Sequence, residues 1–382
     1  MVSGTVIDRV TRQPVKSFRV FQGDDESSGR YAEEGRYQVR LYNQSHPNVV
    51  RIEAEGYQPA SSREITEQKT ARVDFELTKG QDAEGVVLTP AGLPAAGAKL
   101  AMTSGPFYGY STSSISNGDL TGGAHGIEMR ETDATGHFRF PPQDRDFFLL
   151  VIHPSGFVCF KPVPRSNYQR ITLRPYARVE GTYRVAGKPV AGMRMILNAS
   201  AHVEGPVERG PQIENRSRTT TGPDGRFAFE HVPAGSGSIS GELKYTPHVG
   251  HAGAASACTV PLLEFSAGKV VKVDIGQHGR AVTGRLKPPR GFAKPVQWQI
   301  ATLDVEPAHY DRTAEYLSFK ASVDHEGRFR VDDVPPGRYK LTCWSVQFGN
   351  DPPCTTSIVV PKQDIRPLGQ LLDLGELELS KN

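Results

Sequence analysis

The chain has 382 residues, 37% hydrophobic and 23% charged, so it can bury cores and does not have the composition of a disordered polymer. Lys and Arg number 45 against 42 Asp and Glu, a formal net charge of +3, which argues against a nucleic-acid binder or a polybasic membrane anchor. No run of about 18 apolar residues occurs, so no spanning helix is expected, and four cysteines in such a length do not make a disulfide scaffold.

An excess of turn formers, 39 Gly and 29 Pro, points to many short strands. The first strand starts at once, with Val2-Ser3-Gly4-Thr5-Val6, and no leader-like succession of basic, apolar and small residues precedes it. The expectation is a cytosolic chain or a piece of a longer one. Pro14-Val15 follows, where the fixed φ and missing N–H of proline suit a sheet edge. The acidic run Asp24-Asp25-Glu26 reads as a solvated loop. Glu34-Gly35-Arg36-Tyr37-Gln38-Val39 is a tight turn and then a strand alternating with period two. Ala54-Glu55-Gly56-Tyr57 comes next, and Val73, Phe75 and Leu77 form a closing strand with Asp74 and Glu76 on its other face.

The same succession then returns three times. Ala83-Glu84-Gly85-Val86-Val87, Pro94-Ala95, Thr135-Gly136-His137-Phe138, Pro154-Ser155-Gly156-Phe157 and Ile171/Leu173 make the second copy. Val179-Glu180-Gly181-Thr182-Tyr183, Pro189-Val190, Asp224-Gly225-Arg226-Phe227 and Val271/Val273/Ile275 make the third. Val282-Thr283-Gly284-Arg285-Leu286, Pro295-Val296, Glu326-Gly327-Arg328-Phe329, Val334-Pro335-Pro336-Gly337-Arg338-Tyr339 and Leu372/Leu374 through Leu379 make the fourth. The predicted architecture is all-β, four tandem β-sandwiches spanning 1–79, 80–176, 177–277 and 278–382, joined by short linkers. Long amphipathic helices are missing, and the best helical candidate is Thr313 to Ser322. Trp298 and Trp344 lie in alternating stretches and are expected in the core.

Chemistry is sparse in this pattern. His125-Gly126-Ile127-Glu128 has a His-x-x-Glu spacing, but chance accounts for one such pair and the stretch is too Gly-rich to hold a tetrahedral metal. His248, His251 and Cys258 offer three N/S ligands within eleven residues, with no fourth at a convincing spacing, and read first as a polar loop. The turns with Asp133, Asp224 and Asp324 carry too few oxygens for calcium, and hairpin geometry explains them. No nucleophile elbow, phosphate loop or dinucleotide fingerprint appears, so no catalytic residue and no cofactor is assigned. The longest insert, 103–126, carries Phe107, Tyr108 and Tyr110 beside small polar residues. These rings suit sugar stacking or peptide contact, or they fold back over the end of the sandwich. Cys343 and Cys354 flank Trp344 to Pro353, which looks like a hairpin. They form either a disulfide or two small apolar neighbours in adjacent strands.

The phrases Gly4-Thr5-Val6 with Pro14-Val15, Ala54-Glu55-Gly56-Tyr57, Asp224-Gly225-Arg226-Phe227 and Val334-Pro335-Pro336-Gly337-Arg338-Tyr339 resemble those of carboxypeptidase regulatory-like domains. These are transthyretin-like, Ig-like sandwiches related to the B-type repeats of bacterial surface adhesins. The resemblance covers essentially the whole chain. It implies a non-enzymatic domain of secreted, surface or membrane-anchored proteins, often grouped with carbohydrate-binding sandwiches. The implied location is extracytoplasmic. The implied partner is a polysaccharide or another surface protein, with no nucleic acid and no direct membrane insertion. Carbohydrate binding, or service as an accessory region of a metallopeptidase or sensor, is the alternative. Adhesin relatives sometimes carry a Lys–Asn crosslink, but none of the four closing strands here contains the Asn it needs.

Overall fold

The structure is a computed structural model. It describes residues 1–23, 25–42, 48–66, 70–104, 112–122, 127–144, 146–162, 168–185, 187–205, 211–244, 254–276, 279–292, 294–298, 301–308, 318–345, 354–362 and 371–381. The named elements among them are all β-strands. They gather into two compact units, residues 1–176 with 201–214, and residues 177–200 with 215–382.

One small sheet recurs four times. Its central strand is Val2–Asp8, then Ala83–Leu88, Ala177–Val185 and Arg280–Lys287. On one side lies the antiparallel strand that follows the glycine turn: Arg36–Val39, His137–Phe140, Arg226–Val232 and Arg328–Val334. On the other side lies the closing strand, which runs parallel to the first: Ala71–Arg72 with Phe75–Leu77, Tyr168–Thr172, Val270–Ile275 and Leu372–Glu378. A parallel neighbour needs a long crossover, and the opposite sheet of each copy supplies it.

The recurring glycine and aromatic turn out to be partners. Gly4 pairs with Tyr37, Gly85 with Phe138, Gly181 with Phe227 and Gly284 with Phe329. A Cβ on Gly4 or Gly181 would lie 1.7 Å or 1.8 Å from the carbonyl oxygen of Val73 or Val273 in the closing strand. The glycine therefore lets the closing strand come close, and the opposite ring covers the space it leaves. In the first copy the Tyr37 hydroxyl also donates to that Val73 carbonyl at 2.7 Å.

In the first unit, Val6, Tyr37 and Phe75 of the small sheet share one buried cluster with Phe18, Val20 and Ile52 of the facing sheet. The second copy repeats this with Val87, Phe138 and Phe140 against Leu100, Leu149 and Val151. Each fully buried side chain of this size stabilises the fold by about 1.5–3 kcal/mol. The facing sheet of the second copy has a second core on its outer side. Leu150, Ile152, Phe157 and Cys159 are covered there by Ile115 of the Thr112–Ser116 strand and by Ile213. The unbroken apolar run of the Phe147–His153 strand reflects burial on both faces.

In the second unit one buried cluster extends from Ala177 to Leu379. The Ala254–Phe265 strand of the third copy pairs antiparallel with Ser318–Ser322 of the fourth, Cys258 opposite Phe319 and Thr259 opposite Ser318. In the best helical candidate, Thr313 to Ser322, the described residues 318–322 form a strand. Its residues alternate, with Phe319 and Ala321 buried and Lys320 outward at 3.3 Å from Asp304. Strand partners on both sides outweigh any local helical preference. Trp298 is in the core as expected, 6% exposed, but Trp344 is not: it is 41% exposed, and its indole N–H donates to Asp304 at 2.9 Å.

Candidate functional site

Most residues singled out from the sequence fall outside the described residues: Phe107, Tyr108, Tyr110, His125, His248 and His251. Cys258 is placed by its backbone in the strand edge opposite Phe319. Among the described residues, no group of three or more His, Cys, Asp or Glu could hold a metal ion. The turn aspartates act as hairpin caps. Asp133 accepts from the Thr135 and His137 amides at 2.8 and 3.0 Å, and Asp324 accepts from the Glu326 and Arg328 amides at 2.9 and 2.8 Å. The Thr135 hydroxyl, which donates to Asp133 at 2.7 Å, and then these amides favour the charged carboxylate and keep Asp133 below the ordinary carboxylate range.

A bidentate ion pair joins the two copies of the first unit. Arg51, on the Val50–Glu53 strand, grips Asp144 with both guanidinium nitrogens, at 3.0 and 2.9 Å, and reaches Glu53 at 3.0 Å. Its side chain is only 8% exposed. Burial works against the charge, but the two carboxylates outweigh it and hold the guanidinium more firmly protonated. The linker beside it is strapped down. Gly80 donates its N–H to the Gly56 carbonyl at 3.1 Å, and a Cβ there would lie 2.4 Å from Pro142. The Lys79 ammonium sits 4.4 Å from the centre of the Tyr57 ring.

The second unit pins its own linker differently. Asp333, buried at 7% exposure and with φ of 62°, accepts from the Gly279 amide at 2.8 Å. A Cβ on Gly276 would lie 1.7 Å from the Arg184 carbonyl oxygen. On the outer face of the third small sheet lies an open groove of about 820 Å³, lined among others by Arg178, Glu180, Glu230 and Lys272. Arg178 is already paired with Glu180 at 3.2 Å and Glu230 at 2.9 Å, so the groove offers a hydrogen-bonding surface of balanced charge.

No family model and no curated protein matches the sequence. The chain has weak similarity to several solved structures. The Bacillus anthracis TIE protein is 10% identical, with 95% of this chain and 66% of that one covered, at a TM-score of 0.19. A streptococcal ancillary pilin is 15% identical, with 72% and 98% covered, at 0.23. Two B repeat units of the Staphylococcus aureus collagen-binding protein are 8% identical, with 99% and 98% covered, at 0.22. Scores and identities this low transfer neither a domain count nor a role.

Cys343 and Cys354 stand directly opposite one another on the antiparallel Gly337–Trp344 and Cys354–Val360 strands. Both are buried thiols with no exposed surface. Burial pushes the Cys343 thiol up to about 12, and the neighbouring Cys354 adds to it. Cys159, also buried, is pushed up to about 12 by the same cause. The sequence signalled this pair through its hairpin spacing. It carried no signal for Arg51 and Asp144, which lie 93 residues apart.

Proposed function

We propose that this chain is a non-enzymatic structural and binding array of four carboxypeptidase regulatory-like sandwiches, residues 1–79, 80–176, 177–277 and 278–382. It works outside the cytoplasm as part of a secreted, surface or membrane-anchored bacterial protein, and its partner is another surface protein. The observation that carries this reading is the parallel pairing of first and closing strands in every copy. In a parallel pair, the start of one strand and the end of the other lie at opposite ends of the ladder. Tension along the chain then loads the ladder's hydrogen bonds together, in shear, rather than opening them one at a time. Four such clamps in series, with short strapped linkers, suit a load-bearing spacer. The location rests on the sequence resemblance.

Single-molecule pulling through the termini tests this. The expected record is stepwise, force-resisting rupture, each step releasing at least one copy, a stretched length of about 28 nm at roughly 3.6 Å per residue less the span of the folded copy. Val273→Pro removes a ladder N–H from the third closing strand and should lower the rupture force of that copy. Smooth extension at low force, or a Val273→Pro record like that of the natural chain, overturns the proposal.

A further inference from the structure

We propose that Cys343 and Cys354 are a built-in crosslinking site, which closes to a cross-strand disulfide when the chain folds in an oxidising compartment. Residues directly opposed in an antiparallel ladder have Cα atoms about 4.5 or 5.5 Å apart, depending on the type of pair. Both values lie inside the roughly 4.4–6.8 Å that a disulfide accepts, and opposed side chains leave the sheet on the same face. The register places these two cysteines in that relation. Neither is a surface residue, and both belong to the cluster of buried side chains that fills the second unit.

The place in the fold gives the bond a consequence. Cys343 is next to the last residue of its strand and Cys354 is the first of the next, so the bond would staple the mouth of a hairpin. Cys343 also pairs on its other side with Leu303, and Cys354 with Lys381 of the C-terminal Ser380–Lys381 strand. The staple therefore ties together the strands that hold the chain's end.

The chemistry needs a disulfide oxidant, such as oxidised glutathione or a thiol oxidoreductase. One cysteine thiolate attacks the oxidant's sulfur and expels one thiol. The second cysteine then displaces the other half of the oxidant. Two protein thiols become one disulfide, and one oxidant disulfide becomes two thiols. Burial that keeps Cys343 protonated makes attack slow in the folded protein, so closure belongs to folding itself. Once closed, the bond is shielded from reductant by the same burial. The proposal depends on the extracytoplasmic reading only for where oxidation takes place in the cell, and the test below is independent of it.

The full chain is unfolded, then refolded in a buffer of oxidised and reduced glutathione. It is unfolded again in acid, alkylated and digested, and its peptides are weighed. The expected result is one linked pair, 343 with 354, lighter by the two hydrogens lost, with Cys159 alkylated. Reduction should need denaturant, and the disulfide form should melt roughly 5–10 °C above the reduced form in its second unit. The Cys343→Ala/Cys354→Ala variant should melt at one temperature whatever the redox buffer. Free thiols at both positions, glutathione adducts on them, or a bond to Cys159 or Cys258 overturns the proposal.

Discussion

In the first unit the two copies keep separate buried clusters and meet through Arg51, Asp144 and the Gly80–Gly56 hydrogen bond. In the second unit one cluster runs through both copies, and strands Ala254–Phe265 and Ser318–Ser322 pair edge to edge. The first joint is polar and local, whereas the second is a continuation of the core. Copies joined by a core share their folding energy and should melt together. Copies joined by an ion pair can separate while each keeps its own cluster.

The largest effect should come from Gly181→Val. Its Cβ would collide with the Val273 carbonyl, and we expect a loss of at least about 4 kcal/mol. Calorimetry should show the whole second unit lost in one transition. Gly4→Val makes the same collision in the first copy and should leave the second copy's transition in place. A fourth copy that still melts on its own after Gly181→Val would break the comparison.

Arg51→Ala comes next. It leaves Asp144 without its bidentate partner, at a cost of about 3 kcal/mol measured by denaturant unfolding of the first unit. The double variant Arg51→Met/Asp144→Leu should recover most of that, because an apolar pair of similar volume replaces the ion pair. Failure to recover would mean the joint needs charge rather than mere contact.

The smallest effect is an acid one. Asp8 accepts from the Val10 and Thr11 amides and from the Tyr57 hydroxyl at 2.9 Å, and its pKa is held at about 2. The folded value lies below the unfolded one of about 3.9, so this contribution is complete above that pH. It is lost as pH falls toward 2. Tyr57→Phe removes one of the lowering bonds and should move the Asp8 titration to higher pH, read by carbonyl NMR. An unchanged titration would show that the backbone amides alone hold the carboxylate.

The elements demanded by the backbone were legible in the sequence. Glycines such as Gly4 and Gly181, turn glycines such as Gly225, and alternating closing strands such as Val271/Val273/Ile275 have few substitutes, so their repetition marks four copies. Less legible was what depends on partners distant in sequence. The pairing of each strand glycine with its aromatic follows only from register. Residues 318–322 become a strand because neighbours on both sides offer hydrogen bonds. Trp344 looks like core in an alternating stretch, yet Asp304 across the sheet gives its N–H a place at the surface. Residues 201–214, which the repeat assigns to the third copy, pack with the first unit.

That last segment sets a schedule for synthesis. The apolar outer face formed by Leu150, Ile152 and Phe157 is complete before Ala201, Val203 and Ile213, which help to cover it, have been made. At about 5–20 residues per second, the 38 residues from 176 to 214 leave that face partly bare for about 2–8 s on the ribosome. A chain that stalls or is cut near Tyr176 would keep it bare, and should be sticky where the finished protein is not.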